Sequence, residues 1–239
     1  MKKEIQIQPS FVKTKNVRNF NVLMDGMELL AGEGCLGAAS GRAGLGKTKT
    51  STIYAATNGC VYMQVLRIYV NSEMEFLRGI CRALELKSSF GRKGDAFLAA
   101  AGEIERRKRP LIIDEADLLP QWGIEIARDL TKMARAHVVL IGEEELIPMM
   151  QRNRRVWSRT FQFMEFVPMD ATDIMIYAKE ATGLTFTPDV ASVFLEESGG
   201  DFRLVKRDIV KLVQYANAAG TDKVDVKMAR IAVKKGLKG

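Results

Sequence analysis

Gly41-Arg42-Ala43-Gly44-Leu45-Gly46-Lys47-Thr48 spells G-x-x-x-x-G-K-[ST], and it stands between a small apolar run, Cys35 to Ala39, and a stretch from Thr48 to Ala56 of helical composition. Strand, loop, helix is the order that a phosphate cradle requires. The chemistry dictates the spelling. Successive backbone N–H groups point at phosphate oxygens, the following helix presents its positive end, and glycine is needed where a side chain would block the approach. Lys47 is then expected to reach the outer phosphates and the Thr48 hydroxyl to hold Mg²⁺, with Lys49 beside them at the start of the helix. ATP and Mg²⁺ are the expected cofactors.

A second constellation agrees. Leu111-Ile112-Ile113-Asp114-Glu115-Ala116-Asp117 is a short hydrophobic strand ending in acids, with Pro110 as its boundary. In a parallel sheet its carboxylates emerge at the carboxyl edge, the edge that also presents the phosphate loop. Asp114 is expected at the Mg²⁺ and Glu115 at the attacking water. Asp117 reads as a helix cap or a supporting acid.

The chain has 239 residues, 47% of them hydrophobic, enough for a full α/β core and a small further domain. No apolar stretch approaches the ~20 residues of a membrane span, and Met1-Lys2-Lys3 lacks the continuation of a secretion signal, so a cytoplasmic protein is expected. Cys35, Cys60 and Cys81 are odd in number, sit in apolar surroundings and lack C-x-x-C spacing; they read as buried thiols. The single histidine, His137, opens an apolar strand and argues against a histidine metal site.

Helical patterns over Asn16 to Leu30, Ser72 to Leu86, Asp95 to Arg107, Ile124 to Arg135 and Glu143 to Arg152 alternate with strands at Val61 to Val65, His137 to Ile141 and Phe161 to Phe166. Ser72-Glu73-Met74-Glu75 has capping-box spacing. Such alternation predicts an α/β fold with a parallel sheet covered by helices on both faces. After Pro168 four helical stretches follow: Asp170 to Thr182, Asp189 to Glu197, Phe202 to Ala219 and Asp225 to Lys235. The expected organisation is a nucleotide-binding core over residues 1–167, with a short N-terminal extension, and a small all-helical lid over residues 168–239.

With these pieces placed, the chain resembles the AAA+ ATPases, and within them the Mu B type of phage transposition proteins. The resemblance rests on the two motifs above and runs from about Thr14 to the end of the chain. It implies further roles. His137-Val138-Val139-Leu140-Ile141-Gly142 leads into Glu143, where family members place a polar sensor of the γ-phosphate, often Asn, Thr or Ser; a glutamate departs from that pattern. Arg152-Asn153-Arg154-Arg155-Val156-Trp157-Ser158-Arg159 is similar to the segment whose arginine enters a neighbouring subunit's nucleotide site, with Arg159 favoured over Arg155 and Arg154. Four arginines and no acid in eight residues need an anionic partner in any case. Gly199-Gly200-Asp201-Phe202-Arg203 resembles the second sensor, in which Arg203 would touch the γ-phosphate. Thr14 and Asn16 are expected near the adenine.

Lys and Arg number 36 against 29 Asp and Glu, a net charge of +7, which favours a polyanionic partner. Lys87, Arg92 and Lys93 surround a loop-like insert that the resemblance places against DNA, whereas Arg106-Arg107-Lys108-Arg109 closes a helix, where cations offset the helix's negative end. With no recognition helix, zinc finger or stacking strand in evidence, duplex DNA would be gripped by its backbone, tolerant of sequence and sensitive to salt. The Mu B pattern also includes an N-terminal helix-turn-helix domain, for which the ~40 residues before the phosphate loop are too few. The resulting expectation is an oligomeric, ring- or filament-forming ATPase that selects target DNA and recruits or activates a transposase. A replication initiator or helicase loader of the same superfamily is the alternative. A small-molecule kinase or a nucleotide-gated signalling scaffold is a third reading, of which the kinase is disfavoured because Glu115 beside Asp114 is suited to activating water.

Overall fold

A computed structural model describes residues 4–8, 11–30, 32–86 and 89–234. Helix α1 (Lys15–Glu28) precedes strand β1 (Leu36–Ser40), followed by α2 (Lys47–Asn58), β2 (Val61–Gln64), α3 (Glu73–Ala83), α4 (Lys93–Arg107), β3 (Leu111–Asp114), α5 (Gln121–Ala134), β4 (Val138–Gly142), α6 (Leu146–Arg152), α7 (Arg154–Trp157) and β5 (Thr160–Glu165). The strands form one parallel sheet in the order β2-β3-β4-β1-β5. Strands β1, β3 and β4 are buried along their whole length, as central strands covered on both faces must be. The edge strand β5 alternates half-buried and exposed residues, leaving Phe161 and Phe163 about half exposed. The expected α/β architecture is the one observed.

Chain proximity divides the molecule into two compact units. One comprises Asn19–Arg42 and Lys47–Phe166; the other comprises the described residues of Met1–Arg18, Ala43–Gly46 and Val167–Gly239. The core of the sheet unit runs through Leu36, Ile80, Ile104, Ile113, Leu130 and Leu140. In the other, α8 (Ala171–Thr182), α9 (Pro188–Ser198), α10 (Phe202–Ala218) and α11 (Val226–Lys234) enclose Ile174, Phe194, Ile209, Leu212 and Ala229. The N-terminal stretch is counted with these helices because its backbone finds its partners there. Ile5 exchanges two hydrogen bonds with the Asn217 amide, Gln8 N–H donates to Ala181 O, and Lys15 N–H donates to Asp173 Oδ1 at 3.0 Å.

Several boundaries moved for identifiable reasons. Helix α4 starts at Lys93, two residues before the acid that was expected to open it, and α5 starts directly after Pro120, whose φ of −61° suits a helix entry. The expected helix from Glu143 to Arg152 begins only at Leu146, since the Glu143 amide is drawn to the Asp117 side chain. Asn153 then closes α6 and caps α7, its Oδ1 accepting from the amides of Arg155 and Val156. Ser72 Oγ accepts from Glu75 N–H, while the Glu75 carboxylate pairs with Arg78 in place of the reciprocal half of a capping box. All three cysteines are free, Cys35 and Cys81 buried and Cys60 half-buried. Among the described residues no helix is long and apolar enough to cross a membrane.

Candidate nucleotide site

Ser40 ends the buried strand β1 and Gly41 turns the chain out of the sheet. An added Cβ on Gly41 would lie 2.7 Å from Phe166 O. Gly44 and Gly46 have φ of +87° and +90°, conformations that side chains resist, so the motif's glycines are demanded by the loop's path. Within the helical unit, Gly44 O accepts from Phe202 N–H at 3.0 Å and Leu45 O accepts from the Asn16 amide at 3.4 Å. Arg42, Ala43, Thr48 and Lys49 are exposed.

Lys47 opens α2 and is almost buried, with 8% exposure. Its ammonium donates to Gly41 O, to Arg42 O at 3.0 Å and to Glu143 Oε1 at 2.9 Å. An ammonium has three N–H donors, so each has an acceptor.

At the end of β3 the Asp114 carboxylate is 1% exposed. Its Oδ1 accepts from Glu115 N–H at 2.9 Å, and its Oδ2 from the Tyr62 hydroxyl at 2.8 Å. Burial first, and then the Asp114 charge, push the Tyr62 phenol upward, so it stays a neutral donor. Sequence reasoning missed Tyr62; only the pairing of β2 with β3, Tyr62 opposite Ile112, reveals it. Glu115 sits at φ 59° and ψ 33°, the left-handed region, a strained setting for a non-glycine residue. Burial, followed by the charges of Asp114 and Asp117, holds its carboxyl above the ordinary glutamate range, with Lys47 opposing.

Asp117 Oδ1 accepts from Glu143 N–H at 2.9 Å, and a Cβ on Gly142 would come 2.4 Å from that oxygen. Asp117 is therefore the support of the turn after β4, and Gly142 makes the approach possible. Lys47, Asp114, Glu115, Asp117 and Glu143 thus converge at one edge of the sheet. Such a cluster can accept a polyphosphate at Lys47 and abstract a proton at Glu115.

The other expected residues stand outside this hydrogen-bonded set. Arg154, Arg155 and Arg159 are exposed, and Arg159 O accepts from Leu36 N–H at the opposite end of β1. Five residues of strand, about 16 Å, separate that end from Gly41, so Arg159 does not serve its own chain's cluster. Arg203 is exposed in the first turn of α10, which Asp201 caps. Thr14 and Asn16 are buried; Asn16 exchanges hydrogen bonds with the Val167 backbone at 2.8 and 3.1 Å, which commits its amide to the backbone of its own unit. Lys87 lies outside the described residues. Arg92 and Lys93 are exposed, and Lys93 pairs with Glu73 at 2.7 Å. Arg106 and Arg107 both grip Glu103, and these hydrogen bonds pull its carboxyl down to about 2.

Residues 32–150 match the family model described as AAA domain. The chain belongs to the AAA+ ATPases. Its backbone is similar to the Aeropyrum pernix ORC2 protein in ADPNP–ADP complexes, with a TM-score of 0.64 at 17% identity over 95% of this chain and 70% of that one. It is also similar to the Thermotoga maritima RuvB Holliday junction branch migration motor, at 0.61 and 15% over 94% and 70%. Likeness at such identities speaks for the AAA+ fold alone. In sequence the ATPase is 26% identical to the Mu-like prophage FluMu DNA transposition protein B of Haemophilus influenzae, over 82% of this chain and 70% of that protein. It is 28% identical to the ATP-dependent target DNA activator B of Escherichia phage Mu over 64% of this chain, and spans about half (48%) of that relative's length.

Proposed function

We propose that this ATPase is the target-DNA component of a transposition system: it hydrolyses ATP, assembles on duplex DNA as a ring or filament, and recruits or activates a transposase. The observation that carries the reading is the similarity to transposition protein B over 82% of the chain. The geometry is consistent with the chemistry. Thr48, exposed at the start of α2, and Asp114, buried at the end of β3, are hard oxygen donors of the kind that take Mg²⁺ together with substrate phosphates. Bound there, Mg²⁺ would neutralise charge on the β- and γ-phosphates. Lys47 would hold the outer phosphates, and Glu115 would take the proton of the water that attacks the γ-phosphorus as ADP leaves. A raised carboxyl makes Glu115 the stronger base.

Arg159, remote from its own cluster, would complete a neighbour's site, with Arg155 and Arg154 on the same short segment. Arg203 would report the γ-phosphate to the helical unit. Arg92 and Lys93, exposed beside Glu73, would meet DNA phosphates, with Lys93 exchanging one anion for another. The net charge of +7 supports a DNA partner. A helicase-loading role, the alternative, has only the shared fold in its favour.

Electron microscopy with ATP, with and without long duplex DNA, tests the assembly: rings or filaments are expected, and monomers in both conditions would refute it. Stimulation of a transposase, set against capture of a replicative helicase, then decides the partner.

A further inference from the structure

The structure assigns to Glu143 a role opposite to that of a phosphate sensor: its carboxylate is a built-in rival of the nucleotide's phosphates for Lys47. The inference rests on the reading of this cluster as an ATP site and concerns how that site is regulated.

A sensor in this place must donate a hydrogen bond to a phosphate oxygen, as an amide or hydroxyl does. A carboxylate only accepts, and it repels phosphate. Glu143 instead faces the one group that phosphate also needs, at 2.9 Å from the Lys47 ammonium. The other two ammonium protons go to Gly41 O and Arg42 O, backbone carbonyls of the phosphate loop itself. A phosphate reaching Lys47 must therefore displace an acceptor, and Glu143 is the charged one of the three.

The rival is held in place. Asp117 Oδ1 fixes the Glu143 amide at 2.9 Å, and Gly142, lacking a Cβ, lets Asp117 approach. Lys47 is 8% exposed and Glu143 36%, so the pair is partly withdrawn from water while the glutamate retains room to swing away. Binding then selects the fraction of molecules in which Glu143 has released the ammonium, and apparent affinity falls by that fraction. Asp117 is a positioning residue in this scheme, acting through the Glu143 backbone.

The test is calorimetric titration of the full chain with the non-hydrolysable analogue AMP-PNP and Mg²⁺. Glu143→Gln keeps the shape and removes the charge; affinity should rise about threefold to tenfold, the range set by a partly exposed ion pair that no longer competes. Glu143→Asp keeps the charge but draws the carboxylate back by one methylene, and should give a smaller gain in the same direction. Glu144→Gln removes a neighbouring charge without touching Lys47, and should change affinity less than about twofold, as expected for an exposed charge in salt.

Unchanged or weaker binding by Glu143→Gln would overturn the proposal. So would an equal gain from Glu144→Gln, which would reduce the effect to the general field. If wild type and Glu143→Gln both fail to bind, or Lys47→Ala binds as well as wild type, the ATP-site reading itself falls and takes the rivalry with it.

Discussion

Glu115 carries two costs at once, a left-handed backbone and a carboxyl raised by burial beside Asp114 and Asp117. A raised carboxyl contributes stability below its unfolded pKa and loses it as pH rises through the folded value, so at neutral pH the ionised group weighs against the fold. Glu115→Gln should therefore raise the Tm at about pH 7.5 and give no gain below about pH 4, where both forms are neutral, as scanning calorimetry would show. Hydrolysis should fade on acidification earlier than an ordinary glutamate would dictate. Tyr62→Phe would leave Asp114 Oδ2 without its 2.8 Å donor. We expect a loss of about 1–3 kcal/mol by urea unfolding, the cost of an unpaired buried acceptor, together with weaker Mg²⁺-dependent turnover. Equal stability of Tyr62→Phe and wild type would show that water replaces the hydroxyl. Lys47, Asp114 and Glu115 were legible because their spacing to loop and strand is fixed by local geometry. Tyr62 and the Glu143 contact were not, since one depends on strand order and the other on which acceptor a long ammonium chooses.

Caps govern the element scale. Asp170, Thr187 and Asp201 each accept from an amide in the helix they open, and in each case sequence pattern placed the helix within a residue of its start. The expected helix ends at Arg152, as α6 does; the short α7 was not foreseen, because it is a single turn started by the Asn153 cap. Helix α1 illustrates a device that no local window contains: its first amide, Lys15 N–H, is received by Asp173 of α8, a carboxylate 2% exposed. Asp173→Ala should cost about 1 kcal/mol or more, because the part-buried first amide of α1 would lose its acceptor. Hydrogen exchange should then accelerate over residues 15–18 before the rest of α1; uniform exchange along the helix would argue against this anchoring.

At the scale of the whole molecule, the alternation of strands and helices and the change after Pro168 made the architecture readable, as the register of five parallel strands shows. What alternation could not convey is that the N-terminal stretch and Ala43–Gly46 count with the helical unit, because most of those ties are individual hydrogen bonds between residues far apart in sequence. The placement of Arg159 at the far end of β1 bears on activity. Arg159→Ala alone and Glu115→Gln alone should each lower turnover strongly, by roughly 10³-fold for the arginine if it acts as a finger in trans. Mixed in equal amounts they should recover part of the rate, since interfaces pairing an intact Glu115 with an intact Arg159 form again. A mixture no faster than its components would confine each site to one chain.

The border strand β5 has a practical consequence. Its outer edge is unpaired among the described residues, and Phe161 and Phe163 stand out from it. Such a ribbon is a template for strand pairing between copies, which the charges of Arg159, just before the strand, and Glu165, its last residue, are expected to oppose. Charge-neutralising changes at those two positions should therefore shorten the time the purified protein stays clear in solution, well before any loss of fold is measurable.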